Sequence, residues 1–339
     1  MSIFIRTFAC MKKNISHTNL VTTIKALLHV VSLLSAPLLL TATIFMAACS
    51  SDDANDTPTP TNDNAEIAFT ANIWGMMGGT RATFFTTGDL TSGSFMASAY
   101  NANSTTAYIN PTTVNYVIDK WVFDGDVKYY WPAESFLDFF AYMPVVPDSY
   151  ITSGPTYTTA RNPQFSCTLP MTHAGQASIT EFVYDLKTEQ NKADQGASGV
   201  MLNFQHPFAR INLQLSSIQE TIRINSITLK GIKKTGSFSH AANPQWTTSG
   251  EADNFVATLN ADYSANDVIG NYIMIPQTFT GGKIVVEVNA TWIDWGEPYD
   301  HTISTEVATK WQAGTSYTYT FTITKTDLTV DTSKYTEQW

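Results

Sequence analysis

Near the C-terminus, Tyr317, Tyr319, Phe321 and Ile323 alternate without interruption with Thr318, Thr320, Thr322 and Thr324. Successive side chains of an extended chain point to opposite faces, so this run has one apolar face and one hydroxyl-bearing face. It reads as a strand with a core on one side and water on the other. The same period of two recurs along the chain. Ile67, Phe69, Ala71 and Ile73 oppose Ala68, Thr70, Asn72 and Trp74, while Ala209, Ile211, Leu213 and Leu215 oppose Arg210, Asn212 and Gln214. Val200, Leu202 and Phe204 alternate until His206-Pro207 breaks the run. Further candidates are Asn115–Val122, Val127–Trp131, Phe136–Tyr142, Phe182–Leu186, Ile273–Ile275 and Lys283–Trp292. Ile222 and Ile224 fall out of phase with Ile227 and Leu229, which predicts a bulge near Asn225-Ser226.

No amphipathic run of four helical turns accompanies these strands. Many short strands bounded by turn signals predict an all-β fold of β-sandwiches. A length of 339 residues suits two of them. The polar stretch Lys187–Gly199, which contains Gly196, is the expected boundary, giving an N-terminal sandwich over 66–195 and a C-terminal one over 196–339.

Composition narrows the function classes. Charged residues make up only 14% of the chain, so Thr, Ser and Asn supply most of its polarity, and 43% hydrophobic content is enough for real cores. The net charge is −10, and the basic residues Arg6, Lys12, Lys13 and Lys25 all precede position 49, where no acid occurs. The remainder is therefore more acidic than the total and repels phosphate backbones, which argues against nucleic acid as a partner.

The first 48 residues read as an export signal. An apolar run over 26–48 follows Lys12, Lys13 and Lys25 and ends in Met46-Ala47-Ala48-Cys49. Small residues before a cysteine resemble the bacterial lipobox, which makes Cys49 the expected lipidation site, carrying palmitate and tying the chain to the outer membrane. A transmembrane anchor is the alternative, since the run approaches the ~20 residues a bilayer requires. Pro37 and His29 interrupt it. Translation starts at Met1 or at Met11, where Met-Lys-Lys opens a second n-region. Residues 49–65 are rich in Asp, Asn, Thr and Pro and read as a flexible tether. Ser51-Asp52-Asp53 resembles an acidic signal for export to the cell surface, and a solvated linker explains those acids equally well. Beyond the leader only Cys167 remains, which permits no internal disulfide and reads as a buried thiol.

The order of several fragments carries more than any one of them. The first strand leads into Thr80-Arg81-Ala82; Tyr129-Tyr130-Trp131-Pro132 precedes Leu137-Asp138-Phe139-Phe140-Ala141-Tyr142-Met143-Pro144; then come Phe204-Gln205-His206-Pro207-Phe208-Ala209-Arg210-Ile211, Ile275-Pro276-Gln277 and Trp311-Gln312-Ala313-Gly314-Thr315-Ser316-Tyr317. Together with the lipobox, this series resembles the fimbrillin family (Mfa-like, type V pilins) over nearly the whole chain. The resemblance implies two transthyretin-like β-sandwich domains in tandem. It also implies a subunit of surface fimbriae that is exported as a lipoprotein, cut by an arginine-specific protease after its first strand, and joined to other fimbrial subunits by strand exchange. Arg81 matches the processing position. Ile67, Phe69, Ala71 and Ile73 would then plug the groove that a partner's strand later fills. Without the resemblance, they read as a permanent edge strand and Arg81 as a loop arginine. The segment after Ile323 is short for a donor strand, so stalk, anchor and tip roles all stay open.

Enzymatic readings find little support. His173, His206, His240 and His301 are dispersed, and neither an HExxH nor a GxSxG pattern occurs. Asp124-Gly125-Asp126 could ligate calcium but reads better as a β-turn, His206 reads as a strand-end hydrogen bonder, and Asp138 as the wet side of a strand, leaving no acid/base pair with Glu134. No cofactor or metal is expected. The competing binding function is a surface lipoprotein that holds glycans, because the chain has eight tryptophans and sugar sites use aromatic platforms. Host or microbial surface glycans or proteins are the corresponding partners.

Overall fold

The computed structural model of the chain describes residues 65–73, 87–90, 93–158, 161–195, 199–218, 222–241, 244–294 and 297–335. The leader, most of the tether, Cys49 and Arg81 lie outside them. Among the described residues no helix is long and apolar enough to cross a membrane.

Strands dominate, interrupted by single-turn helices. The first half contains β1 (Phe69–Ile73), β2 (Ser94–Asn101), β3 (Ala107–Val117), β4 (Lys120–Phe123), β5 (Leu137–Met143), β6 (Ile151–Thr158), β7 (Asn162–Thr168), β8 (Val183–Gln190) and β9 (Val200–Phe204). The second contains β10 (Ala209–Ile218), β11 (Ile222–Ile232), β12 (Thr235–Ser239), β13 (Gln245–Ser249), β14 (Asp253–Tyr263), β15 (Val268–Met274), β16 (Thr278–Asp294), β17 (Glu297–Lys310), β18 (Thr315–Ile323) and β19 (Leu328–Tyr335). The expected all-β sandwich architecture is what forms.

Two four-stranded sheets, β15-β10-β18-β19 and β14-β11-β16-β17, supply the second core. Its alternation is the one read from the sequence. Ile211, Leu213 and Leu215 pair beside Tyr317, Tyr319 and Phe321 across a parallel ladder and all face inward. The register shift between Ile224 and Ser226 is the anticipated bulge, and it appears against both neighbours of β11. Edge strand β19 is nearly all solvent-facing beyond Leu328 and Val330.

The first core is built on the five-stranded sheet β4-β3-β2-β5-β8. One face packs on the pair β1-β9, through Phe95, Phe139 and Ala141. The other face carries Tyr100, Phe140 and Tyr184, which pack with Phe165, Cys167 and Phe238 from the sheet β13-β12-β7-β6. Because β5 is covered on both sides, its run Leu137–Met143 is apolar almost throughout and lacks a wet face.

That covering corrects the reading of Asp138. The residue is fully buried, and its carboxylate accepts from Arg161 Nε at 2.9 Å, Tyr157 Oη at 3.0 Å and the Glu189 backbone N–H at 2.8 Å. Burial and the Asp138 charge push the Tyr157 phenol well up from its ordinary value. Asp138 is thus a structural ion-pair centre, with Arg161 shared between it and Glu189.

The segment 187–199 does not separate sheets. Strand β8 continues through it to Gln190, because Phe139 and Leu137 of β5 pair with Lys187 and Gln190. Strand β9 lies beyond the expected division yet pairs with β1, and β12 pairs with β7. Residues 63–339 form one compact unit. Asn115–Val122 is not one strand but a hairpin, β3 to β4, whose turn residues Ile118 and Asp119 have φ of 45° and 63°. Turns of this handedness usually advertise themselves by Asn-Gly or Asp-Gly, and Ile-Asp hides the signal. Val127–Trp131 forms only a bridge, Tyr130 to Glu66. Asp124–Asp126 is a single helical turn with Gly125 at φ 71°.

Replacing Asp138 with Ala removes the buried acceptor of Tyr157, Arg161 and the Glu189 N–H, while Arg161 keeps its ion pair with Glu189 at 3.0 Å, and the expected loss is about 1–3 kcal/mol of unfolding free energy. Lys283→Ala removes a solvent-exposed pair with Glu306 and should cost less than about 1 kcal/mol. Urea denaturation of the two variants checks the contrast.

Candidate strand-exchange site

The first core is completed by a strand that arrives from outside it. Phe69–Ile73 runs parallel to β9, in the register Phe69 to Val200 through Ile73 to Phe204. On its N-terminal flank Ile67 N–H donates to the Tyr129 carbonyl at 2.8 Å, and Trp131 N–H donates to the Ala65 carbonyl at 3.0 Å. An exposed ion pair, Lys128 to Glu66 at 3.0 Å, sits on the same flank. The chain from 65 to 73 is therefore held by main-chain bonds on both sides, first by the 129–131 segment and then by β9.

Alternate side chains fill the groove. Ile67, Phe69 and Ile73 are buried and Ala71 is half-buried against the same core, whereas Ala68, Thr70 and Asn72 face solvent. Phe69 is the anchor. Its ring meets Phe95, Phe123 and Phe139 edge-on at centroid distances of 5.6, 5.5 and 5.7 Å, so it joins β2, β4 and β5 to β1. Full burial of each large side chain stabilises the docked strand by about 2 kcal/mol. All four residues read from the sequence as a plug thus line one face of one strand and share one core. The processing residue Arg81 and the lipidation residue Cys49 fall outside the described residues.

Gly199 is a member of this site that sequence reasoning assigned to a linker. Its φ is +75°, and a Cβ built there would lie 2.5 Å from the Ala68 carbonyl oxygen. Only glycine lets the start of β9 approach β1 closely enough for Val200 N–H to reach that oxygen, at 2.7 Å. A glycine just before an alternating strand was the available signal, and its partner lies more than a hundred residues upstream.

The histidines do not converge. His173 pairs with Tyr272 Oη at 2.8 Å, His240 with Tyr184 Oη at 3.0 Å, and His206 with the buried Glu181 at 2.8 Å. His206 is a hydrogen bonder at the end of β9, as its position before Pro207 implies. Cys167 is buried, and desolvation pushes its thiol well above the ordinary range.

These features define an all-β sandwich protein whose first core includes the strand Phe69–Ile73, paired in parallel with β9. A fimbrillin-like family model matches residues 80–339, and the chain belongs to that family. It is a structural protein of cell-surface fimbriae. Similar solved structures include a protein of Bacteroides ovatus provisionally named for cell adhesion, with 17% identity, TM-score 0.55, and coverage of 81% of this chain and 98% of that one. A protein of Bacteroides uniformis with the same provisional name has 15% identity, TM-score 0.52, and coverage of 81% and 99%. At these identities they bear on the fold alone. No curated protein sequence matches the chain.

Phe69→Ala should destabilise the intact protein by about 3–5 kcal/mol, as expected for a buried aromatic. Gly199→Ala should cost more than about 1 kcal/mol by straining β9 against β1. Denaturant unfolding before and after physical removal of residues 65–73 separates local from global effects: the Phe69→Ala penalty should vanish once the strand is gone, and Gly199→Ala should then keep only the cost of its positive φ.

Proposed function

We propose that this fimbrial subunit is exported as a lipoprotein, lipidated at Cys49 with palmitate, displayed on the outer membrane, and activated by cleavage after Arg81. Cleavage frees the segment carrying Ile67, Phe69, Ala71 and Ile73. A strand from another fimbrial subunit then takes its place against β9 by β-augmentation. The observation that carries this reading is the docking of β1: a short strand at the start of the fold, whose only strand partner among the described residues is β9, places Ile67, Phe69 and Ile73 in the first core and sets the Phe69 ring against Phe95, Phe123 and Phe139. The stretch matched by the family model starts at residue 80, so β1 lies on the far side of the processing position from the matched body.

Physical chemistry explains why a cut would act as a trigger. While the chain is intact, β1 is a tethered ligand at high effective concentration and outcompetes any free strand. After the cut it becomes a separate peptide that can leave once. The vacated groove exposes the unpaired edge of β9 beside apolar pockets, which is a template for another strand. Main-chain bonding supplies affinity, and the Phe69 pocket supplies register. The same scheme serves a stalk, anchor or tip subunit. We also read the chain as the two transthyretin-like sandwiches the family implies, over 66–195 and 196–339, with β9 and β12 contributed across that division to sheets of the first half.

Limited trypsin treatment should cut first after Arg81, leave the β circular-dichroism signal intact, and allow oligomers to form when a donor strand is supplied. Arg81→Ala protein should stay monomeric under the same treatment, and Cys49→Ser should abolish labelling with palmitate in cells. Equal oligomerisation of cut and uncut protein would contradict strand exchange. Unchanged palmitate labelling would contradict lipidation at Cys49.

A further inference from the structure

A cleft of about 1070 Å³ opens where the end of β9, the hairpin β12–β13 and the segment linking β17 to β18 come together. Strand exchange makes no use of it. Its lining contains no aspartate or glutamate, although the chain as a whole is acidic, with a net charge of −10. Lys187 is tied to the buried Asp185 at 3.3 Å, which leaves Lys310 as the cation presented to a ligand.

Two features of the lining point to one ligand chemistry. The amides of Gln205, Gln245 and Gln312 are exposed, and neither they nor Lys310 make a side-chain hydrogen bond or ion pair with any described residue. Each amide both donates and accepts, which matches a hydroxyl group that does the same. Beside them Trp246 is fixed in place. Its Nε1–H donates to the Pro207 carbonyl at 2.6 Å, and its ring packs on Phe165, Phe208 and Phe238 at 5.4, 5.2 and 5.5 Å. It nevertheless stays half-exposed in the cleft wall, unlike the buried Trp131, Trp292 and Trp311. A rigid aromatic surface and uncommitted amides in one cleft wall suit a ligand with an apolar C–H face and hydroxyl edges.

We propose that this cleft is a carbohydrate-binding site for a hydroxyl-rich oligosaccharide, whose sugar ring stacks on Trp246 while its hydroxyls pair with Gln205, Gln245 and Gln312. The volume exceeds what one monosaccharide fills and lies at the upper end of small-ligand sites, so several linked sugars are accommodated. Lys310 adds preference for a sugar bearing a carboxylate. An apolar ligand would leave the amides unpaired, and an extended peptide would look instead for a free strand edge.

The test uses the uncut chain on an array of linear neutral oligosaccharides of four or more sugars and their sialylated counterparts, followed by titration calorimetry of the best binder. The Gln245→Ala/Gln312→Ala double variant removes two exposed side chains without disturbing a contact, and it should weaken binding at least tenfold with unchanged thermal unfolding. Trp246→Phe keeps the packing but narrows the platform and should weaken binding severalfold, while Lys310→Ala should reduce only the preference for sialylated sugars. Absence of binding to any array sugar overturns the proposal, as does a bound sugar whose affinity the double variant leaves unchanged. Failure of the double variant to polymerise after cleavage, with no sugar bound, would mark the cleft as a subunit contact and overturn it equally.

Discussion

Phe69 sits where four strands meet, and the first half of the molecule depends on it. Its ring bridges β2, β4 and β5 from a strand that bonds to none of them. The core is therefore complete only while residues 65–73 are docked, and it would be open along β9 without them. A fold can tolerate such an arrangement because the other covering of the central sheet is independent. The opposite face packs on β6, β7, β12 and β13, and the second sandwich has its own core around Ile211, Leu229 and Phe321. Losing one strand from one face leaves most of the buried surface in place.

The period of two made this architecture legible where sheets have a dry face and a wet one. Strands β1, β9, β10 and β18 and the bulge in β11 follow directly from alternation, and so does the inward set Ile67, Phe69, Ala71 and Ile73. Legibility failed where that assumption failed. Strand β5 is buried on both faces, so an aspartate inside it looked solvent-facing when it is the centre of an ion pair with Arg161. The polar edge strands β17 and β19 pair through their backbones with few apolar side chains to mark them. The hairpin at Ile118-Asp119 carries no glycine signal. The boundary near 187–199 looked like a linker because its residues are polar, yet long-range pairing of β8 with β5 and of β9 with β1 draws both flanks into the first core.

The candidate site was legible in its side chains and hidden in its backbone. Alternation identifies which residues of β1 point inward, but the partner strand, its parallel direction and the need for glycine at position 199 depend on contacts more than a hundred residues apart. The aromatic wealth of the chain gave no location for a binding surface either. Among the described tryptophans Trp131, Trp292 and Trp311 are buried in cores, whereas Trp246 stays half-exposed in the wall of a cleft that also holds unpaired amides.

The central claim is that residues 65–73 form a removable part of the first core. Hydrogen exchange read by mass spectrometry, on intact protein and on protein cut after Arg81, tests it directly. In the intact chain the amides of 67–73 and of β9 should exchange as slowly as the core strands. After the cut, protection should fall across 67–73 and β9, while β10 and β18 stay unchanged. Equal protection of β1 and β9 in both forms would contradict the account, because it would mean that the strand stays locked in its groove after its covalent link is broken.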